Sequence, residues 1–236
     1  MTAFPSYEFF FAVATYVAIL SFLRFARIEP PLLGRSSLPA RLRALGFGVG
    51  SAIAVGAGAW GLARLQNLES GVAFYGGLIG FLFFALAFAR STHIDLVELL
   101  NRTSPGLALA HAVGRIGCFL EGCCYGTHCD LPWGVSREGA PGLVHPVQIY
   151  ESLALAGLGL FLWKNERLRL EGHARPSSAG VYFGTYAVIR FGLEFLRGDM
   201  SRGIWAGLST SQWISIPFFV LGITLLRARR RRNLSS

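Results

Sequence analysis

The hydrophobic positions of this chain fall in long blocks. They do not alternate as in a half-buried strand, and they do not form the narrow stripe of a soluble amphipathic helix. Seven apolar stretches stand out, at about 7–23, 44–63, 72–89, 95–119, 146–163, 180–196 and 212–226. Each comes close to the roughly 17–25 apolar residues that a helix needs to cross the hydrocarbon core of a bilayer. The pattern predicts an all-α fold, a polytopic membrane helix bundle with about seven transmembrane helices. The fourth block is the most polar and the least like a simple span. The first block has no basic segment before it and is followed directly by Arg24 and Arg27. It reads as a retained helix and not as a cleaved signal.

The polar positions between the blocks give the bundle a direction. Counting loops alternately, 15 of the 22 Lys and Arg residues fall on one side, from Arg24 through Arg90 and Lys164 to the run Arg229–Arg232. Four fall on the other side: Arg64, Arg137, Arg197 and Arg202. Arg102, Arg115 and Arg190 lie within or close to blocks. Cytoplasmic loops carry the excess of basic residues. This predicts a multi-pass protein of the bacterial inner membrane with a periplasmic N-terminus and a cytoplasmic C-terminus. The whole chain, 1–236, reads as one integral membrane domain, with an outer loop at about 120–145 and a basic cytoplasmic tail at 227–236.

Composition agrees. Hydrophobic residues make up 53% of the chain and charged residues only 15%, with a mean hydropathy of +0.47. A soluble domain carries roughly 25% charge. The net charge of +9 is carried almost wholly by Arg. On a soluble protein it would suggest nucleic acid. Clustered between apolar blocks, it serves topology and contact with anionic membrane lipids instead, so no nucleic-acid partner is expected.

Ionisable groups inside a span are costly and mark function by default. The fourth block ends in His111-Ala-Val-Gly-Arg115-Ile-Gly-Cys118. The sixth holds Tyr186, Arg190, Glu194 and Arg197, and spacings of four, four and three predict one helical face. One reading is an internal Arg190–Glu194 pair that only joins helices. The other is an anion site, because Arg115, Arg190 and Arg197 outnumber Glu194, and Arg binds phosphate through paired, charge-assisted hydrogen bonds. Ahead of the fifth block stands His145-Pro-Val-Gln148-Ile-Tyr150-Glu151. Trp133 and Tyr150 suit a membrane–water interface, and Pro146 suits a first helical turn. His145 and Glu151 could be structural partners or an acid–base pair.

The four cysteines, Cys118, Cys123, Cys124 and Cys129, lie within one short segment beside His128. Three readings stand. The first is a disulfide or two in an oxidising compartment. The second is a metal site, although the spacing matches no standard zinc pattern. The third is a reactive thiol whose pKa is lowered by Arg115.

Taken together, Tyr75-Gly-Gly-Leu-Ile-Gly80, Gly114-Arg-Ile-Gly117, Asp130-Leu-Pro-Trp-Gly-Val135, the His145 to Glu151 motif, the Tyr186 to Arg197 set and Ser215-Ile-Pro217 resemble, in order and spacing, the bacterial prolipoprotein diacylglyceryl transferases. The resemblance covers nearly the whole chain. It implies a membrane enzyme that moves the diacylglyceryl group of phosphatidylglycerol onto the lipobox cysteine thiol of a prolipoprotein, releasing glycerol phosphate and forming a thioether. On this basis Arg115, Arg190, Tyr75, Tyr186 and Glu194 are expected to be catalytic. Gly76, Gly77, Gly114, Gly117, Cys118, Cys123, Gly126, His145, Glu151 and Arg197 are expected to bind substrate. No cofactor and no metal are expected. Three positions depart from the family's usual residues: Tyr75 for a His, Cys118 for an Asn and Cys123 for a Glu. The alternatives are a paralogue that uses the same phospholipid pocket for another acceptor, or a non-catalytic lipid-binding or transport protein.

Overall fold

The computed structural model describes residues 7–26, 38–66, 73–140, 142–198 and 203–234, without the side chains of 7–8, 26, 38–41, 62–66, 73–75 and 229–234. Among the described residues there are seven α-helices: α1 (Tyr7–Ala26), α2 (Leu38–Gln66), α3 (Ala73–Thr92), α4 (Leu96–Glu121), α5 (Val147–Leu170), α6 (Ser178–Leu193) and α7 (Thr210–Leu234). A 3-10 turn, Glu194–Leu196, continues α6. Two short antiparallel hairpins complete the chain. β1 (Val135–Ser136) pairs with β2 (Leu143–Val144), and β3 (Ile204–Trp205) pairs with β4 (Leu208–Ser209).

Each predicted apolar block lies on a helix. Several helices run further than the apolar residues do, because the polar turns beyond the blocks still favour helix; α5 continues to Leu170 and α7 to Leu234. The sixth is shorter. It ends at Leu193, Glu194 opens the 3-10 turn, and Arg197 is extended at φ −76° and ψ 136°. Tyr186, Arg190, Glu194 and Arg197 therefore do not share one continuous α-helical face, as their spacing predicts. Arg197 is held by backbone pairing instead, as described below.

The helices pack as antiparallel neighbours: α2 on α3, α4 on α5, α1 on α4 and α6 on α7. Small residues set the closest approaches. Gly58 of α2 lies against the Gly76 carbonyl and Gly80 of α3, where a Cβ would collide with backbone. Gly222 of α7 meets Gly184 of α6 in the same way.

Two buried polar layers cross the apolar interior. The layer at the basic end joins α4, α5 and α6. Arg102 reaches Glu98 at 2.7 Å and donates to the Phe25 carbonyl of α1 at 3.0 Å. Arg169 bridges Glu98 at 2.8 Å and Glu166. Ser178 donates to Glu166 at 2.7 Å, and Ser177 to Asn101 at 2.7 Å. Each charge is paired and hydrogen-bonded, which is the condition under which buried ions are tolerated. The second layer, at the opposite end, is the candidate site.

The outer surface is apolar. Ile53, Phe83, Leu153, Leu160, Val188 and Val220 are each more than half exposed. A water-soluble monomer rarely shows such an extended apolar surface. By length and composition, α2 (Leu42–Gly61) and α7 (Thr210–Ala228) carry stretches able to cross a membrane, and α1 and α3 carry shorter apolar ones. The buried polar residues of α4 and α5 lower the hydropathy of those helices, and α6 has only 16 residues.

Candidate active site

The site forms where the ends of four helices meet. Asp95 starts α4 by accepting from the Glu98 amide at 2.9 Å, and Gly122 ends it in the left-handed conformation, φ 81°. This puts His111, Arg115 and Cys118 on the last turns of α4. Pro146 precedes the first turn of α5, so Gln148 and Glu151 lie at its start. Tyr186 and Arg190 lie on the last turns of α6, and Ser211 on the first turn of α7.

Glu151 is the centre of the network. It is 1% exposed and accepts from Arg115 Nη2 at 2.9 Å and from the Tyr186 hydroxyl at 3.1 Å. His111 Nε2 lies 3.7 Å from it, and Arg190 Nη1 lies 3.9 Å from its other oxygen. Arg190 Nη2 pairs with Glu194 at 2.7 Å and donates to Ser211 Oγ at 3.0 Å. Arg197 Nη1 lies 3.8 Å from Glu194. The His111 ring packs edge-on against Tyr186, with centroids 4.8 Å apart. All of these side chains are buried. Among the described residues, three guanidinium groups thus meet two carboxylates in the buried interior. Arg115 Nε and Arg190 Nη1, both buried, make no hydrogen bond to a described residue.

A cavity of about 220 Å³ opens beside this network between α1, α2, α3 and α4. Its polar end is formed by His111, Arg115 and Cys118, with Gly114 and Gly77 in the wall. Beyond them the lining is mostly apolar, with the hydroxyls of Thr15, Ser51 and Thr103, and includes Phe22, Phe47 and Phe81. A charged head with an apolar sleeve matches an anionic lipid.

The sequence-predicted residues fall into groups. Arg115, Arg190, Tyr186, Glu194, Glu151 and Arg197 come together in the network. Gly114, Gly77 and Cys118 line the cavity. Gly117 is buried on α4, while Gly76 serves the α2–α3 contact. Tyr75 lies in the first turn of α3, but its side chain lies outside the described residues. Gly126 acts at a distance. Its amide donates to the His145 carbonyl at 2.8 Å, and it forms a β-bridge with Arg197. A Cβ there would lie 2.5 Å from the Cβ of His145 and 2.8 Å from the Leu196 carbonyl, so the bridge that holds Arg197 needs glycine. His145 is not in the network. Its Nδ1 is 3.2 Å from the Tyr150 hydroxyl, which accepts from Trp133 Nε1 at 2.8 Å.

Cys118, Cys123 and Cys124 cluster at the C-terminal end of α4 as free thiols, and Cys129 is apart and buried. His128 pairs instead with Asp130, at 3.3 Å. Among the described residues no group of three or more His, Cys, Asp or Glu side chains is placed to hold a metal ion. Two contributors were given no role from the sequence. His111 stands out there with Arg115 as an ionisable group in the fourth block, one turn before it. Ser211 carries no pattern that marks it in advance.

The family model for prolipoprotein diacylglyceryl transferase matches residues 51–228. The chain belongs to that family. The phosphatidylglycerol–prolipoprotein diacylglyceryl transferase of Clostridium tetani is 37% identical over 175 residues, 72% of this chain and 68% of the relative. A second such transferase, of Clostridium perfringens, is 37% identical over 176 residues, 71% of this chain and 66% of the relative. That of Geobacter sulfurreducens is 36% identical over 172 residues, 70% and 64% of the two chains. The matches thus span about two thirds of the length of these diacylglyceryl transferases. The matched segment contains the whole Arg115–Glu151–Arg190 network.

Proposed function

We propose that this chain transfers the diacylglyceryl group of phosphatidylglycerol to the cysteine thiol of a prolipoprotein. One observation carries the reading. A buried arginine network, with unbonded nitrogens on Arg115 and Arg190, stands beside a largely apolar cavity whose polar end includes Arg115. A phosphodiester headgroup would accept from those nitrogens through charge-assisted hydrogen bonds. The acyl chains would extend along the apolar wall toward Phe47.

In the reaction the acceptor sulfur bonds to the glyceryl carbon and the carbon–oxygen bond to phosphate breaks. Arg115 and Arg190 stabilise the charge that gathers on the departing glycerol phosphate. The thiol must lose its proton, since the thiolate is the nucleophile. His111, at the polar end of the cavity, is placed to take it. Glu151 orients Arg115, Tyr186 and His111. Glu194 and Arg197 hold Arg190 from behind.

We also propose seven membrane crossings, with the basic tail in the cytoplasm and the site near the outer face. The exposed tryptophans Trp60, Trp133 and Trp205 gather at the end opposite the tail, and tryptophan favours the membrane–water interface.

The test uses purified protein, phosphatidylglycerol and a lipobox peptide, and follows release of glycerol phosphate. The wild type releases it, and Arg115→Ala abolishes release while keeping the helical circular dichroism spectrum. Lipid binding without turnover in the wild type would favour the non-catalytic alternative instead.

A further inference from the structure

The three clustered thiols take no part in the reaction just described, yet their arrangement is specific. Gly122 is left-handed, and its amide donates to the Phe119 carbonyl at 3.3 Å. This is the short hydrogen bond of a Schellman-type helix end, a motif that brings the third residue before the helix cap against the second residue after it. In this chain those two positions are Cys118 and Cys123. Accordingly, Cys123 Sγ lies 3.6 Å from the Cys118 carbonyl oxygen, and the thiols of Cys118, Cys123 and Cys124 are close neighbours.

The turn is fixed from two sides. Gln148 of α5, 1% exposed, donates to the Cys123 carbonyl. The Arg137 guanidinium covers the Phe119 ring at 4.3 Å. Access also differs among the thiols. Cys118 and Cys123 are partly exposed, whereas Cys124 and Cys129 are 5% and 7% exposed. The reachable pair is therefore the pair that the helix end brings together.

We propose that Cys118 and Cys123 form a dithiol–disulfide site, oxidised by exchange with a disulfide-bearing partner, protein or small molecule. Each thiol gives up its hydrogen and the two sulfurs form one S–S bond. The partner's S–S bond is reduced to two thiols, so two electrons and two protons pass to it. Closure withdraws the Cys118 thiol from the cavity wall, one turn beyond Arg115. It thereby links the redox state of the outer surface to the polar end of the cavity.

The experiment takes the full chain in detergent, incubates it with oxidised glutathione and blocks the remaining thiols with N-ethylmaleimide. Cleavage after Glu121 then separates Cys118 from the other three cysteines for mass spectrometry. The expected product is the two peptides joined, short by two hydrogens, with Cys124 and Cys129 alkylated. The link persists in Cys124→Ser and is lost in Cys123→Ser. Alkylation of all four thiols, a glutathione adduct with no internal link, or a link that survives in Cys123→Ser overturns the proposal. The readout is mass, so it stands apart from any failure of the transferase assay.

Discussion

At the scale of single residues, Glu151 holds Arg115 and Tyr186 by direct hydrogen bonds and lies within 4 Å of His111 and Arg190. Removing one partner from a buried ion network leaves charges uncompensated, at a cost of about 3–5 kcal/mol. Glu151→Gln should therefore lower the thermal unfolding temperature in detergent sharply, whereas Tyr186→Phe should cost only about 1 kcal/mol, the net value of one hydrogen bond. Equal shifts for the two variants would refute the central place given to Glu151. His111→Gln keeps a polar side chain of similar reach but removes the base. The expected result is a fall in kcat of about 10²–10⁴ with KM nearly unchanged; an unaltered kcat would move the proton transfer elsewhere. Much of this site was legible in the sequence. Arg115, Arg190 and Glu194 stand out because charge is rare inside apolar blocks, and Arg197 by its spacing from Glu194. Glu151 was left between a structural and an acid–base role, because its partners come from α4 and α6. No local spacing on α5 points to either helix.

At the scale of elements, the cavity gives α2 a role in substrate choice. Phe47 lies between Phe22, 4.5 Å away by ring centroid, and Phe81, 6.3 Å away, and together they close the apolar end. Phe47→Ala would open that end by the volume of a ring. The expected outcome is a shift of preference toward phosphatidylglycerol with longer acyl chains, read as the ratio of kcat/KM for long over short species. An unchanged ratio would place the acyl chains outside this cavity. The α2–α3 contact makes a second demand. A side chain at Gly58 would run into the Gly76 backbone, so Gly58→Leu should cost about 1–3 kcal/mol of stability by overpacking. The helices themselves were legible as apolar blocks. Their ends were less so, since hydropathy does not report caps. The early end of α6, where Glu194 turns into 3-10 geometry, depends on the Gly126 bridge to Arg197, and that pairing joins segments about seventy residues apart in the chain.

At the scale of the whole molecule, the two buried polar layers make the bundle asymmetric. The layer of Glu98, Arg102, Glu166 and Arg169 is closed, with its ions paired within the protein. The layer around Arg115 and Arg190 has donor atoms to spare and a cavity beside it. The first therefore fits a structural clamp and the second a candidate site, although Arg102 of the first reads in the sequence, like Arg115 and Arg190 of the second, as a charge within or close to a span. The two layers lie at opposite ends of α4 and α5, so the direction of the bundle in the membrane decides which aqueous side the site faces. The proposed direction rests on the basic residues: by the loop count 15 of 22 fall on the side of the tail, and basic residues attract the anionic cytoplasmic leaflet. In that proposed direction the site opens toward the outer face, where the thiol of an exported prolipoprotein would arrive. A green fluorescent protein fused after Ser236 should fluoresce, and alkaline phosphatase at the same position should be inactive, because the first folds in the cytoplasm and the second needs an oxidising compartment. The opposite pair of results would turn the bundle over and put the Arg115 site on the cytoplasmic side, out of reach of that acceptor.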